Sequence, residues 1–177
     1  MIAALIVGCE VAFWVLVLAG LTARYIAGWK RVGGVLLVAT PVVDLLLLIF
    51  TIIDLRNGAK AEFMHGLAAV YIGVTVAYGH RMIKWADERF AYRFGGGKKP
   101  DPAPKHGKEH ARREREGWYR HVLAWIVGVI LLMLMIWIVN EPSRTEALKK
   151  IPMWWGAILG IDFLISFSYT LWPKQKR

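Results

Sequence analysis

A single cysteine, Cys9, among 177 residues excludes an intrachain disulfide. Acidic residues are also scarce, 13 against 23 Lys and Arg, which leaves a net charge of +10. That excess would suit nucleic acid if the basic residues formed an uninterrupted face. Here they interleave with Asp87, Glu88, Glu109, Glu114 and Glu116, without an evident stacking platform, and RNA or DNA is not an expected partner. The glycine run 95–97 lacks the spacing of a phosphate loop, and no Lys-Ser or Lys-Thr pair closes it. Ile6-Val7-Gly8-Cys9 imitates a lipoprotein cleavage site, but the apolar stretch before it is too short and starts without a positive charge. The first segment is therefore read as a span and not as a leader.

What is abundant is apolar sequence, 56% of the chain, arranged in long blocks that contain no Lys or Arg. A span needs roughly 20 apolar residues to cross a hydrocarbon core of about 30 Å. Five blocks qualify, at 2–23, 32–53, 61–79, 122–139 and 153–172. The expected fold is all-α, a single membrane domain over 1–177 built as a bundle of five transmembrane helices. The third block is the most polar, diluted by Glu62, His65 and glycines. Its repeat of Ala69, Gly73 and Ala77 offers a small-residue stripe along which helix backbones can approach closely. With the N-terminus outside and the C-terminus cytoplasmic, segments 24–31, 80–121 and 173–177 lie inside and hold 18 of the 23 basic residues. This is the positive-inside bias. Trp29, Trp118, Trp154, Trp155 and Trp172 fall at span ends, where indole favours the interface.

The long basic loop 80–121 is the one extensive soluble segment, with a flexible linker expected over 95–117 around its Gly- and Pro-rich middle. Lys84, Arg89, Arg93, Arg112 and Arg113 flank that linker and are candidates for contact with the lipid surface. The simplest partners are the bilayer itself and anionic lipid headgroups. A cytoplasmic protein partner and a homodimer are further expectations.

The most informative residues are acids at membrane depth. Glu10 lies nine residues into the first block, Asp44 ten before Asp54, and Asp162 nine after Met153. At 1.5 Å per residue each falls roughly 14–15 Å below the outer surface, and Tyr71 falls at the same level. A carboxylate at a helix centre costs about 2.5–3.5 kcal/mol on insertion scales. Three of them should face the bundle interior or a wet cavity, where they bind a proton or cation, or bond to partners such as Tyr71 and His65. Glu10, Asp44, His65, Tyr71 and Asp162 are thus the candidate substrate- or ion-binding set. Two alternatives stay open. Hydrogen-bonded acids can simply hold a bundle together, at around 0.6 kcal/mol per bond on average. Glu10, Asp44, His65 and Asp162 also offer donors for zinc or manganese, although no span carries a His-x-x-x-His or Glu-x-x-His pair. His80, His106, His110 and His121 read as solvated loop histidines.

Four strings, Cys9-Glu10 with Phe13-Trp14, His65 to Gly73, Trp85 to Phe90 and Pro142 to Ala147, resemble a small integral membrane protein family of bacteria, the YmcC-like family. The resemblance implies the bacterial cytoplasmic (inner) membrane and brings no activity or cofactor. The expected function is therefore a small transporter or ion-coupled protein using the midplane carboxylates. The alternative is a non-catalytic accessory or scaffold acting through the basic loop. An enzyme is not expected, because Ser143, Arg144, Glu146 and Lys149 lack the spacing of a nucleophile and its base.

Overall fold

The computed structural model describes residues 2–94, 98–101, 103–104 and 106–172. Five α-helices follow one another: α1 (Ile2–Tyr25), α2 (Lys30–Arg56), α3 (Phe63–Phe94), α4 (Gly107–Val139) and α5 (Pro142–Leu171). No strand occurs among the described residues. Four of the helices, Ala4–Tyr25, Lys30–Arg56, Gly107–Val139 and Pro142–Leu171, are long and apolar enough to cross a membrane.

α3 falls short of that standard for a structural reason. It packs against α2, α4 and α5, and Ala68, Ala69, Ile72 and Ala77 are buried there. A helix shielded by its neighbours can carry small and polar residues that a lipid-facing one cannot. The expected stripe works as such. A Cβ added at Gly73 would lie 2.4 Å from the Ala124 carbonyl oxygen and 3.1 Å from the Gly128 nitrogen, so α3 and α4 meet backbone to backbone. By contrast, α1 packs mainly along α2 and leaves Val7, Val11, Trp14 and Leu18 more than half exposed. The outward sides of α4 and α5 are equally apolar, with Ile130, Ile158, Ile161 and Leu164 exposed. Such a surface suits lipid.

Helix ends depart from the apolar blocks. α3 runs 15 residues past position 79, and α4 begins 15 residues before position 122. Hydropathy stops where charge begins, but Lys, Arg and Glu are good helix formers, so the helices continue. Residues 107–117 are consequently helical, and the linker is shorter than the expected 95–117. Positions 95–97 and the basic tail 173–177 lie outside the described residues. At 1.5 Å per residue α3 and α4 are each about 50 Å long, well beyond a hydrocarbon core of about 30 Å.

At the opposite end, Arg144 of α5 ties the connections together. Its Nη1 donates to the carbonyls of Leu55 (3.1 Å) and Arg56 (3.1 Å), the open end of α2. Its own carbonyl accepts from the Ala61 amide at 2.7 Å. The guanidinium thus adds a donor for carbonyls at the end of α2, where no further helical turn follows.

Candidate functional site

The inward face of α2 is set by spacing. Thr40, Asp44, Leu47, Leu48, Thr51 and Leu55 recur at helical intervals and are all buried. Asp44 is on this face with 3% of its surface exposed. Its Oδ2 makes no hydrogen bond among the described residues, and neither does Oγ1 of Thr51. Thr40 turns back onto its own helix, donating to the Leu37 carbonyl at 2.8 Å, and offers Asp44 nothing.

Asp44 lines a cavity of about 150 Å³ enclosed by α1, α2 and α3, and Glu10 and Tyr71 line it too. Its remaining walls are apolar or aromatic, among them Phe13, Trp14, Met64 and Leu67. Phe13 stacks on Tyr71 across the α1–α3 seam, with ring centres 5.6 Å apart and planes 17° from parallel. Trp14 meets Phe13 edge to face at 5.5 Å. Glu10 is exposed and Tyr71 is 43% exposed, so the cavity opens on the surface that faces outward from the bundle. Among the described residues no group of three His, Cys, Asp or Glu side chains is placed to hold a metal ion.

The structure thus brings Glu10, Asp44 and Tyr71 together and places Asp162 and His65 elsewhere. His65 is the third residue of α3. Its Nδ1 accepts the Glu62 amide at 2.9 Å, as an N3 side chain does in a capping box, and so starts the helix.

Asp162 belongs to a separate cluster between α4 and α5. Trp155 Nε1 donates to His121 Nε2 at 3.0 Å, which leaves the proton of the neutral imidazole on Nδ1. That Nδ1–H donates to Asp162 Oδ2 at 2.8 Å, and Ser166 donates to Oδ1 at 3.3 Å. The level of this cluster follows from its neighbours. Tyr78 donates to the Gly117 carbonyl and Trp118 to that of Leu159, so residues 78, 117–121 and 159–162 lie side by side. Tyr71 is seven residues away along α3, about 10 Å. Counting depth from Met153 misplaces Asp162, because α5 begins at Pro142. His121, expected in solvent, instead extends the buried stripe Ala124, Gly128, Leu132, Met135 and Val139 of α4. That periodicity is visible in the sequence and would have identified it.

A third polar region surrounds the charged ends of α3 and α4. Arg81, Lys84, Arg89 and Arg113 line an open cleft of about 650 Å³, together with Lys99, Glu88 and Asp101. The Arg89 guanidinium lies 4.4 Å from the Trp85 ring centre. Of the other residues expected at a lipid surface, Arg112 pairs with Glu116 at 2.8 Å, and Arg93 is exposed. Beside this cleft, Arg24 at the end of α1 makes a two-pronged ion pair with Asp87, with Nε to Oδ1 at 2.9 Å and Nη2 to Oδ2. No pattern in the sequence pairs the two.

The chain is 49% identical over 176 residues to the uncharacterised membrane protein YmcC of Bacillus subtilis (strain 168). The match covers 99% of this chain and 95% of that relative. The chain belongs to the YmcC family. It is a membrane protein, and its four apolar helices mark it as multi-pass. No family model and no solved structure matches the chain.

Proposed function

We propose that this YmcC-family member is a small, non-enzymatic transporter of the bacterial inner membrane that takes a proton or small cation at the Glu10–Asp44 cavity. Its α3 joins the four apolar helices as a fifth span, with the N-terminus outside and the basic ends of α3 and α4 in the cytoplasm. One observation carries the reading: Asp44 is buried at mid-helix, has an unsatisfied oxygen, and shares a cavity with a second acid. An unpaired buried carboxylate is costly. Such a group is retained where a proton or cation occupies it.

Purified protein in liposomes, under an imposed pH gradient and membrane potential, should carry a cation flux. Asp44→Asn should lower it by at least about tenfold, in line with the cost of losing a buried charge partner. Asp162→Asn should leave it near wild type. Equal flux in wild type and Asp44→Asn would end the proposal.

The basic cleft favours a second reading, an accessory protein that holds anionic headgroups through Arg81, Lys84 and Arg113. It replaces the first if Asp44→Asn is silent while changing these three residues to Gln strips anionic lipid from the purified protein.

A further inference from the structure

The chemistry of the α1–α2–α3 cavity says more than that it takes positive charge. Its ionisable groups are two carboxylates and one phenol, and everything else that faces it is aliphatic, thioether or aromatic. Among the described residues no three His, Cys, Asp or Glu side chains are placed to hold a metal ion, and two acids and a phenol would leave a hard cation mostly water-bound in a largely apolar pocket. An anion would meet two acids and no basic side chain. A sugar or amino acid needs many more hydrogen-bonding groups than three. An alkylated ammonium has the opposite needs. Its charge is spread over methyl or methylene carbons, and it is held by aromatic faces and a counter-charge.

Both are present. Phe13 and Tyr71 stack across the seam, and Trp14 stands against Phe13. The acids are staggered, with Glu10 exposed at the mouth and Asp44 buried at the base. Trp14 is 60% exposed, so the aromatic wall continues onto the outward surface of α1, which is otherwise apolar. A ligand therefore enters sideways, from the hydrocarbon phase. The volume, about 150 Å³, equals that of an apolar cavity known to accommodate benzene, which leaves room for a trimethylammonium head but not for a large dye.

We propose that this cavity binds a lipophilic organic ammonium ion, its cationic head between Asp44 and the Phe13–Trp14–Tyr71 rings and its apolar tail toward the bilayer. This rests on the cation-site reading above and narrows it to one chemical class.

The test is equilibrium binding of radiolabelled benzyltrimethylammonium to the full-length protein in nanodiscs, with neopentylbenzene, its uncharged carbon isostere, as competitor. Saturable binding is expected, and the isostere should not displace it. Asp44→Asn should weaken binding by at least about tenfold and Trp14→Ala by about threefold to tenfold, the range expected for losing a charge partner and a cation–π face. Asp162→Asn, outside the cavity, should bind as wild type and certifies the fold of the variants by matched gel-filtration profiles. Absence of saturable binding, unchanged affinity in a well-folded Asp44→Asn, or full displacement by neopentylbenzene would each overturn the proposal. If Asp44-dependent cation flux persists in liposomes while benzyltrimethylammonium does not bind, the ammonium assignment falls and the cation-site reading stands. If both are absent, both fall.

Discussion

Asp44 and Asp162 both sit in helices long and apolar enough to cross a membrane, yet their surroundings are opposite. Asp162 receives a hydrogen bond on each oxygen, from His121 and Ser166, and His121 is held in turn by Trp155. Asp44 is more deeply buried and has an oxygen with no partner. The same contrast extends to the helices. α3, α4 and α5 meet through close backbone approach and interlocked rings, with Trp118 between Phe163 and Phe167. α1 reaches α3 through two ring pairs, Phe13–Tyr71 and Tyr25–Phe90, and through the Arg24–Asp87 bridge, with a cavity between. A satisfied polar cluster at a tight seam stabilises and orders; an unsatisfied one at a loose seam is where a ligand can act.

The contrast can be broken most forcefully at the tight seam. Gly73→Leu drives a side chain into the Ala124 carbonyl and the Gly128 backbone, neither of which can rotate away. A loss of about 3 kcal/mol or more is expected, since overpacking against backbone cannot be relieved by a rotamer change. Gly8 of α1 has nothing within 4 Å of its added Cβ. Gly8→Leu should fall within about 0.5 kcal/mol of wild type, as exposed substitutions do. Thermal melts of the two variants in one detergent give the comparison, and equal melting temperatures would remove the distinction between the halves.

How much of this was open to a sequence reader depends on the kind of signal. Five helices follow from long apolar runs, because lipid leaves few other ways to satisfy a backbone. The union of Glu10, Asp44 and Tyr71 follows from counting, because the helix ends from which they are counted, Ile2, Arg56 and Phe63, nearly coincide with the ends of the apolar blocks. The same count fails for Asp162, since α5 starts well before its apolar block. His121 was hidden by its charge-rich context, although its place on the α4 stripe was there to be read. The Arg24–Asp87 pair and the His121–Trp155 bond join residues 63 and 34 positions apart, and no local pattern in one sequence encodes them.

A smaller effect should separate the two acids by stability alone. His121→Ala leaves the Trp155 N–H and one Asp162 oxygen without partners, at a cost of about 1–2 kcal/mol. Asp44→Leu removes an oxygen that was already unpartnered and should be neutral, or stabilising by up to about 1 kcal/mol, while abolishing cation flux. Unfolding curves and liposome flux measured on both variants give opposite signatures. If Asp44→Leu is the more destabilised, Asp44 is a structural tie like Asp162, and the contrast collapses.

The least of the effects lies at the Arg24 end of the loose seam. Arg24 beside Asp87 holds that carboxyl below the ordinary aspartate range, with its own burial opposing the shift. A lowered folded value means that the pair stabilises fully above the ordinary range. The contribution declines as pH falls through that range and is gone below the lowered value. The Asp87 side chain is 38% exposed, so solvent screens the pair and its worth at neutral pH is at most about 1 kcal/mol. Asp87→Asn should therefore lower the melting temperature slightly at pH 7, and the gap from wild type should close in acid as Asp87 itself is protonated. Because this bridge acts beside the Phe13–Tyr71 and Tyr25–Phe90 ring pairs in binding α1 to α3, the variant should also loosen the cavity and weaken cation binding slightly at pH 7. A gap that stays constant across the acid range would show that Asp87 acts through shape and not charge, and that the loose seam is held by its rings alone.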